Sequence, residues 1–219
     1  MSLCIEEEIM KINKWLTLVL ILSVIGTLVI YPLLPSVVPI HWNYRGEVDG
    51  TGPKWMALLL AILPIALYVL MFITPKIDPK GVAYSKFTKG YQRIIEVTLL
   101  LLVVVHWLTL AWALGIEMPI DQIVKIGLSL LFIVMGNYLG QIRPNYTFGI
   151  RTPWTLANEQ VWIKTHRMSS YAYVLSGILM LSFSFVKGTL GVILYFVPLV
   201  ITLIFSLGIS FVLYKRTQS

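Results

Sequence analysis

Six stretches dominated by Leu, Ile, Val, Ala and Phe recur along the chain, at about residues 15–34, 55–73, 94–114, 123–139, 171–186 and 190–214. Their lengths are close to the roughly 20 apolar residues a helix needs to cross the hydrocarbon core of a bilayer. The pattern predicts an all-α integral membrane protein, a bundle of six transmembrane helices. The first run is followed by Tyr31-Pro32 and Pro35 instead of a small-residue cleavage site, so it reads as a retained anchor and not as a signal peptide. Pro64 lies inside the second run and predicts a kink there.

Between the runs, three polar segments are long enough to carry structure of their own. Residues 35–54 are rich in Pro and Gly, which forbid a helix; Val37 to Tyr44 favour an extended piece before a turn at Arg45-Gly46. Residues 74–93 form a basic loop. Residues 137–167 join the fourth and fifth runs, and a simple connection would need only a few residues. Pro144 prevents the fourth helix from continuing, while Thr152-Pro153 supplies a capping hydroxyl followed by a proline at the first helical position. A helix over 152–168 is expected, with Trp154, Asn158, Val161, Trp162, Thr165 and Met168 on one broad face. It would lie along the membrane interface with Trp154 and Trp162 at headgroup depth.

Composition supports the membrane reading: 58% of the residues are hydrophobic and 12% are charged, against about a quarter charged in soluble domains. The mean hydropathy is +0.83. The single cysteine, Cys4, excludes an intrachain disulfide framework or a cysteine-based metal site. The formal charge of +7 would point to nucleic acid in a soluble protein, but here it fits topology and contact with anionic lipid, without direct nucleic-acid binding. Of the 17 Lys and Arg, only Arg45, Lys54, Lys125 and Lys187 fall on one alternating set of connections. The rest fall on the other set, so both termini and the long loop are expected in the cytoplasm, with 35–54 outside. The chain then divides into a two-span unit, 1–92, with the outer loop 35–54, and a four-span unit, 93–219, with the cytoplasmic loop 140–169.

Candidate catalytic groups are few. His41, His106 and His166 fall outside, within and inside the membrane, so they cannot share a metal ion. No zinc-protease, nucleophile-elbow, phosphate-loop or dinucleotide pattern occurs, and no cofactor is implied. Glu159 and His166, about two helical turns apart, are the one pair a membrane hydrolase would use. A small peptide transporter is the other alternative, although polar residues lining the spans are sparse. The expected protein is not an enzyme.

Gly136-Asn137, Tyr146, the string Phe148-Gly149-Ile150-Arg151-Thr152-Pro153-Trp154-Thr155-Leu156, Asn158-Glu159, Val161-Trp162 and Thr165-His166-Arg167 resemble the signature of the SdpI family. Upstream, Leu34-Pro35, Val38-Pro39-Ile40-His41-Trp42-Asn43, Gly46, Asp49 and Pro53-Lys54 resemble the small domain of unknown function often found before that signature. The two resemblances together touch the chain from about 15 to 185. They imply a bacterial cell-membrane protein giving immunity to a secreted toxic peptide and, in some relatives, signalling by holding a transcriptional repressor at the membrane. The expected cytoplasmic partner surface comprises Arg151, Thr152, Trp154, Asn158, Trp162 and Arg167. Arg151 is suited to a bidentate grip on a carboxylate or lipid phosphate. As the sizeable outer segment, His41, Trp42, Asn43 and Asp49 are expected to meet the peptide.

Overall fold

A computed structural model describes residues 12–218; Cys4, Lys11 and the acidic run Glu6 to Glu8 lie outside the described residues. Its helices are α1 (Lys14–Ile30), α2 (Met56–Ile77), α3 (Thr88–Ala113), α4 (Ile120–Leu139), α5 (Pro153–Ala157), α6 (Glu159–Phe183) and α7 (Gly188–Arg216). Short 3-10 turns at Tyr31–Leu33 and Gly81–Lys86 follow α1 and α2. Among the described residues the fold is helical apart from one antiparallel hairpin, β1 (Val37–Trp42) and β2 (Val48–Pro53). Alternating polar and glycine residues gave β2 no apolar period, so the sequence announced only the first strand.

Among the described residues, five helices are long and apolar enough to cross a membrane: α1 with its following turn, α2, α3, α4 and α7. Their lipid-side positions are large and apolar, as at Leu22, Val29, Leu70, Ile204 and Leu207. In a bilayer this exposure is solvation by lipid. This is an integral membrane protein that crosses the membrane several times. The expected fifth run, 171–186, is the second half of α6, which is 25 residues long but more polar. It packs between α4 and α7, so protein surrounds much of it and its buried face holds Thr165, His166, Ser169, Ser176 and Gly177.

Small residues bring α6 close to its neighbours, as packing within a bilayer favours. A Cβ on Gly177 would sit 2.8 Å from the backbone nitrogen of Ile133, and one on Gly136 would sit 2.6 Å from that of Val174. Ser176 Oγ donates to the Pro198 carbonyl at 2.7 Å, tying α6 to α7. His106 shares a hydrogen bond of 2.8 Å with the Thr27 hydroxyl and Trp107 Nε1 donates to Ser23 Oγ at 2.9 Å, so α3 is fastened to α1.

Two apolar clusters mark the two ends of the bundle. At one, Val38 of β1 packs with Leu34, Ala57 and Leu110 beneath the hairpin. At the other, Tyr84, Phe87, Tyr91, Leu139, Ile142 and Trp162 form an aromatic-rich core. The hairpin adjoins the start of α2, whereas Asp78 at the end of α2 bonds Tyr146 and Thr147 of the long loop. The 22 residues of α2 separate these ends by about 33 Å.

Candidate functional site

The long loop is a folded unit, built residue by residue from its own polar groups. Asn145 is buried, and its Oδ1 accepts from the backbone N–H groups of Thr147 and Phe148 at 3.0 and 2.6 Å. This Asn-centred turn reverses the chain after Pro144. Gly149 then adopts φ +111°, and a Cβ there would lie 2.5 Å from His166 Nε2. The residue must be glycine for the chain to pass so close to α6. The Ile150 N–H donates to that same Nε2 at 2.9 Å, and His166 Nδ1 bonds the Trp162 carbonyl at 2.9 Å. An acceptor at Nε2 and a donor at Nδ1 define a neutral ring with one tautomer. His166 therefore makes no pair with Glu159, which is exposed at the start of α6.

Thr152 caps α5 as expected. Its hydroxyl accepts from the Thr155 N–H at 3.1 Å, Thr155 Oγ1 accepts from the Thr152 N–H at 2.9 Å, and Pro153 takes the first helical position. The single amphipathic helix expected over 152–168 does not form. Asn158 is extended, at φ −143° and ψ 121°, and its side chain accepts from the Gln160 and Val161 N–H groups to start a new helix. An asparagine offers its own backbone this alternative partner, and here it stops α5 after five residues.

The break sends the two tryptophans to different places. Trp154 meets Phe211 of α7 edge-on, with ring centroids 5.1 Å apart, and Thr152 Oγ1 donates to Ser210 at 3.1 Å. Trp162 is 0% exposed. It stacks on His166 at 4.2 Å and donates Nε1–H to the Ile142 carbonyl at 2.9 Å. Its expected place at headgroup depth is thus corrected: the helix that carries it is enclosed by α4 and the loop. Arg151 and Arg167 are exposed, and Arg151 donates to the Tyr146 carbonyl. Lys80 lies 5.1 Å from the Tyr146 ring, so cations and an exposed aromatic share this surface.

Asp78 is the residue sequence reasoning passed over. It is buried and accepts from the Lys80 N–H at 2.8 Å, the Tyr146 N–H at 2.9 Å and Thr147 Oγ1 at 2.8 Å, with Tyr84 Oη at 3.3 Å. Burial pushes its carboxyl up, but the hydrogen bonds outweigh that and hold it below the ordinary carboxylate range. Burial and the neighbouring Asp78 charge push the Tyr84 phenol up to about 12. The available signal was a lone acid in an otherwise basic loop, between Lys76 and Lys80.

At the hairpin end, Arg45-Gly46 forms the expected turn, with Gly46 at φ +78°. Asn43 Oδ1 accepts from the Arg45 and Glu47 N–H groups at 2.8 and 3.1 Å, so it builds the turn. His41 on β1 and Asp49 at the start of β2 form an exposed hydrogen-bonded pair across the hairpin. Trp42 Nε1 is shielded and has no partner among the described residues. Among the described residues no three His, Cys, Asp or Glu side chains come together as a metal site.

Comparison with known proteins agrees with this arrangement. Residues 141–212, spanning the loop, α6 and most of α7, match the SdpI/YfhL protein family. Residues 18–65, spanning most of α1, the hairpin and the start of α2, match a domain of unknown function, DUF1648. Over 208 residues the chain is 29% identical to the Immunity protein SdpI of Bacillus subtilis (strain 168), an alignment covering 94% of this chain and 98% of that one. No solved structure matches the chain. With both matched regions in order and a relative that aligns almost end to end, this multi-pass protein of the cell membrane is similar to the SdpI family.

Proposed function

We propose that the chain is an immunity protein that protects its cell from a secreted toxic peptide. The observation that carries this reading is the likeness to Immunity protein SdpI along 94% of the chain. In this reading the hairpin end faces outside and meets the peptide through His41, Trp42, Asn43 and Asp49. The motif loop faces the cytoplasm, where Arg151, Trp154 and Arg167 meet lipid phosphates and a transcriptional repressor. Thr152, Asn158 and Trp162 hold that surface in place. The cation distribution supports the orientation, since Arg45, Lys54, Lys125 and Lys187 are the four on the hairpin side.

Orientation is tested with single cysteines in a Cys4→Ser background. On intact cells, a membrane-impermeant maleimide is expected to label Glu47→Cys but not Lys164→Cys, both exposed positions, until the cells are opened. Labelling of both sites from the same side sinks the orientation.

Function is tested by expressing the chain in a strain that lacks its own immunity gene and is challenged with the secreted peptide. The wild-type chain is expected to restore growth. Arg151→Lys keeps the charge but loses the planar fork, so the variant is expected to reach normal membrane levels with clearly reduced protection or repressor retention. Wild-type performance on both counts removes Arg151 from the site.

A further inference from the structure

The hairpin turn rests on the start of α4. A Cβ on Gly46 would lie 3.0 Å from Asp121 Cβ, so the turn and the helix are in close contact. Beside this contact, residues 44–45, 119–125 and 184–192 enclose a cleft of about 500 Å³, within the usual range for small-ligand sites. Three of the four hairpin-side cations, Arg45, Lys125 and Lys187, converge on it from these separate segments. Lys125 is paired with Asp121 at 3.2 Å. Among the described residues, Arg45 and Lys187 have no carboxylate partner. Arg45 Nε donates to Tyr44 Oη at 3.1 Å, which ties together two side chains of the lining. The remaining wall combines apolar Phe185 and Val192 with the neutral amide of Gln122 and hydroxyl of Ser184.

We propose that this cleft binds the C-terminal carboxylate of an apolar peptide arriving from outside. Arg45 and Lys187 supply charge-assisted hydrogen bonds to the carboxylate, Gln122 and Ser184 face backbone amides, and Phe185 and Val192 take an apolar side chain. The interspersed amide, hydroxyl and Asp121 carboxylate suit a peptide end better than a phospholipid headgroup, which brings phosphate but no backbone amides. The proposal rests on the immunity reading for the peptide's origin, and its test separates the two. It also joins the two family regions: the turn belongs to residues 18–65 and the α6–α7 connection to 141–212.

The full-length chain in phosphatidylcholine nanodiscs is titrated with two pools of apolar hexapeptides, one ending in a free carboxylate and one amidated. The free-acid pool is expected to bind about tenfold or more tightly, the order of one charge-assisted contact. Arg45→Gln with Lys187→Gln removes the preference, and Arg45→Lys with Lys187→Arg, which keeps both charges, restores most of it. Equal binding of the two pools, or binding of neither, overturns the proposal. Displacement of the peptide by phosphatidylglycerol in the nanodisc, lost in the double Gln variant, assigns the cleft to lipid phosphate and also overturns it. In challenged cells, full protection by the double Gln variant overturns the cleft and leaves the immunity reading standing. A wild-type chain that fails to protect, yet prefers the free-acid pool, ends the immunity reading and supports the cleft.

Discussion

Gly177→Leu is expected to abolish accumulation of folded protein, the largest effect of any single substitution argued for this chain. A Cβ at this position would lie 2.6 Å from Ile133 Cγ1, 2.8 Å from the Ile133 nitrogen and 2.9 Å from the Ser129 carbonyl oxygen. Two of these atoms are backbone, so a side-chain rotation cannot relieve the overlap; α4 and α6 must separate. Gly136 makes the reciprocal approach from α4, at 2.6 Å from the Val174 nitrogen and 2.9 Å from the Ser170 carbonyl oxygen. Overpacking a close-packed interior costs typically 1–3 kcal/mol and occasionally more, and a leucine against two backbone atoms belongs at or above the upper end. Because α6 carries Trp162, His166 and the cap at Asn158, loss of this contact also releases the motif loop. The control is Gly208→Ala, where a Cβ meets nothing within 4 Å and the helix should gain a few tenths to about 1 kcal/mol. Thermal unfolding in detergent, followed by size-exclusion chromatography, reads both. A Gly177→Leu protein as monodisperse and heat-resistant as wild type would mean that α4 and α6 do not meet here.

Asp78→Ala is the second large effect. The carboxylate collects the Lys80 and Tyr146 N–H groups, the Thr147 hydroxyl and the Tyr84 phenol. Hydrogen bonds to a charged group contribute about 1.5–3 kcal/mol, and donors left buried without an acceptor add their own desolvation cost. A total loss of roughly 3–5 kcal/mol is expected, with the loop around Tyr146 becoming protease-sensitive before the helices unfold. Asp78→Asn separates charge from shape, since its amide turns an NH2 toward donors and loses part of the network. The pH dependence has a definite sign. The folded-state pKa lies below the ordinary value of 3.8, so the Asp78 contribution is complete above that value and is lost as pH falls through the folded value. Wild-type melting temperature should therefore fall on acidification below pH about 4 more steeply than that of Asp78→Asn, which has no carboxyl to protonate at this site. Parallel acid limbs for the two proteins would remove Asp78 from the role of loop anchor.

What the sequence by itself determined about this protein is whatever depends on near neighbours and on the solvent around each segment. Apolar runs long enough for a bilayer marked the helices, Thr152-Pro153 marked the start of α5, and Arg45-Gly46 marked the hairpin turn. The motif string around Arg151 and the Val38 to Asn43 segment marked the likeness to the SdpI family and to the domain that precedes it. The tertiary structure alone decided which faces are covered. Periodicity at 100° per residue placed Trp154 and Trp162 together, but Asn158 spends its side chain capping α6, and the two rings part to Phe211 and Ile142. The helix carrying Trp162 is polar by composition, yet it lies between α4 and α7 because Gly136 and Gly177 let backbones touch. Asp78 looked like one acid in a basic loop, and its donors Tyr146 and Thr147 stand nearly 70 residues away along the chain. Arg45 and Lys187 share a cleft for the same reason. Local patterns record the backbone's own preferences and its contact with lipid or water, whereas hydrogen bonds and close approaches between distant residues exist only once the helices have packed.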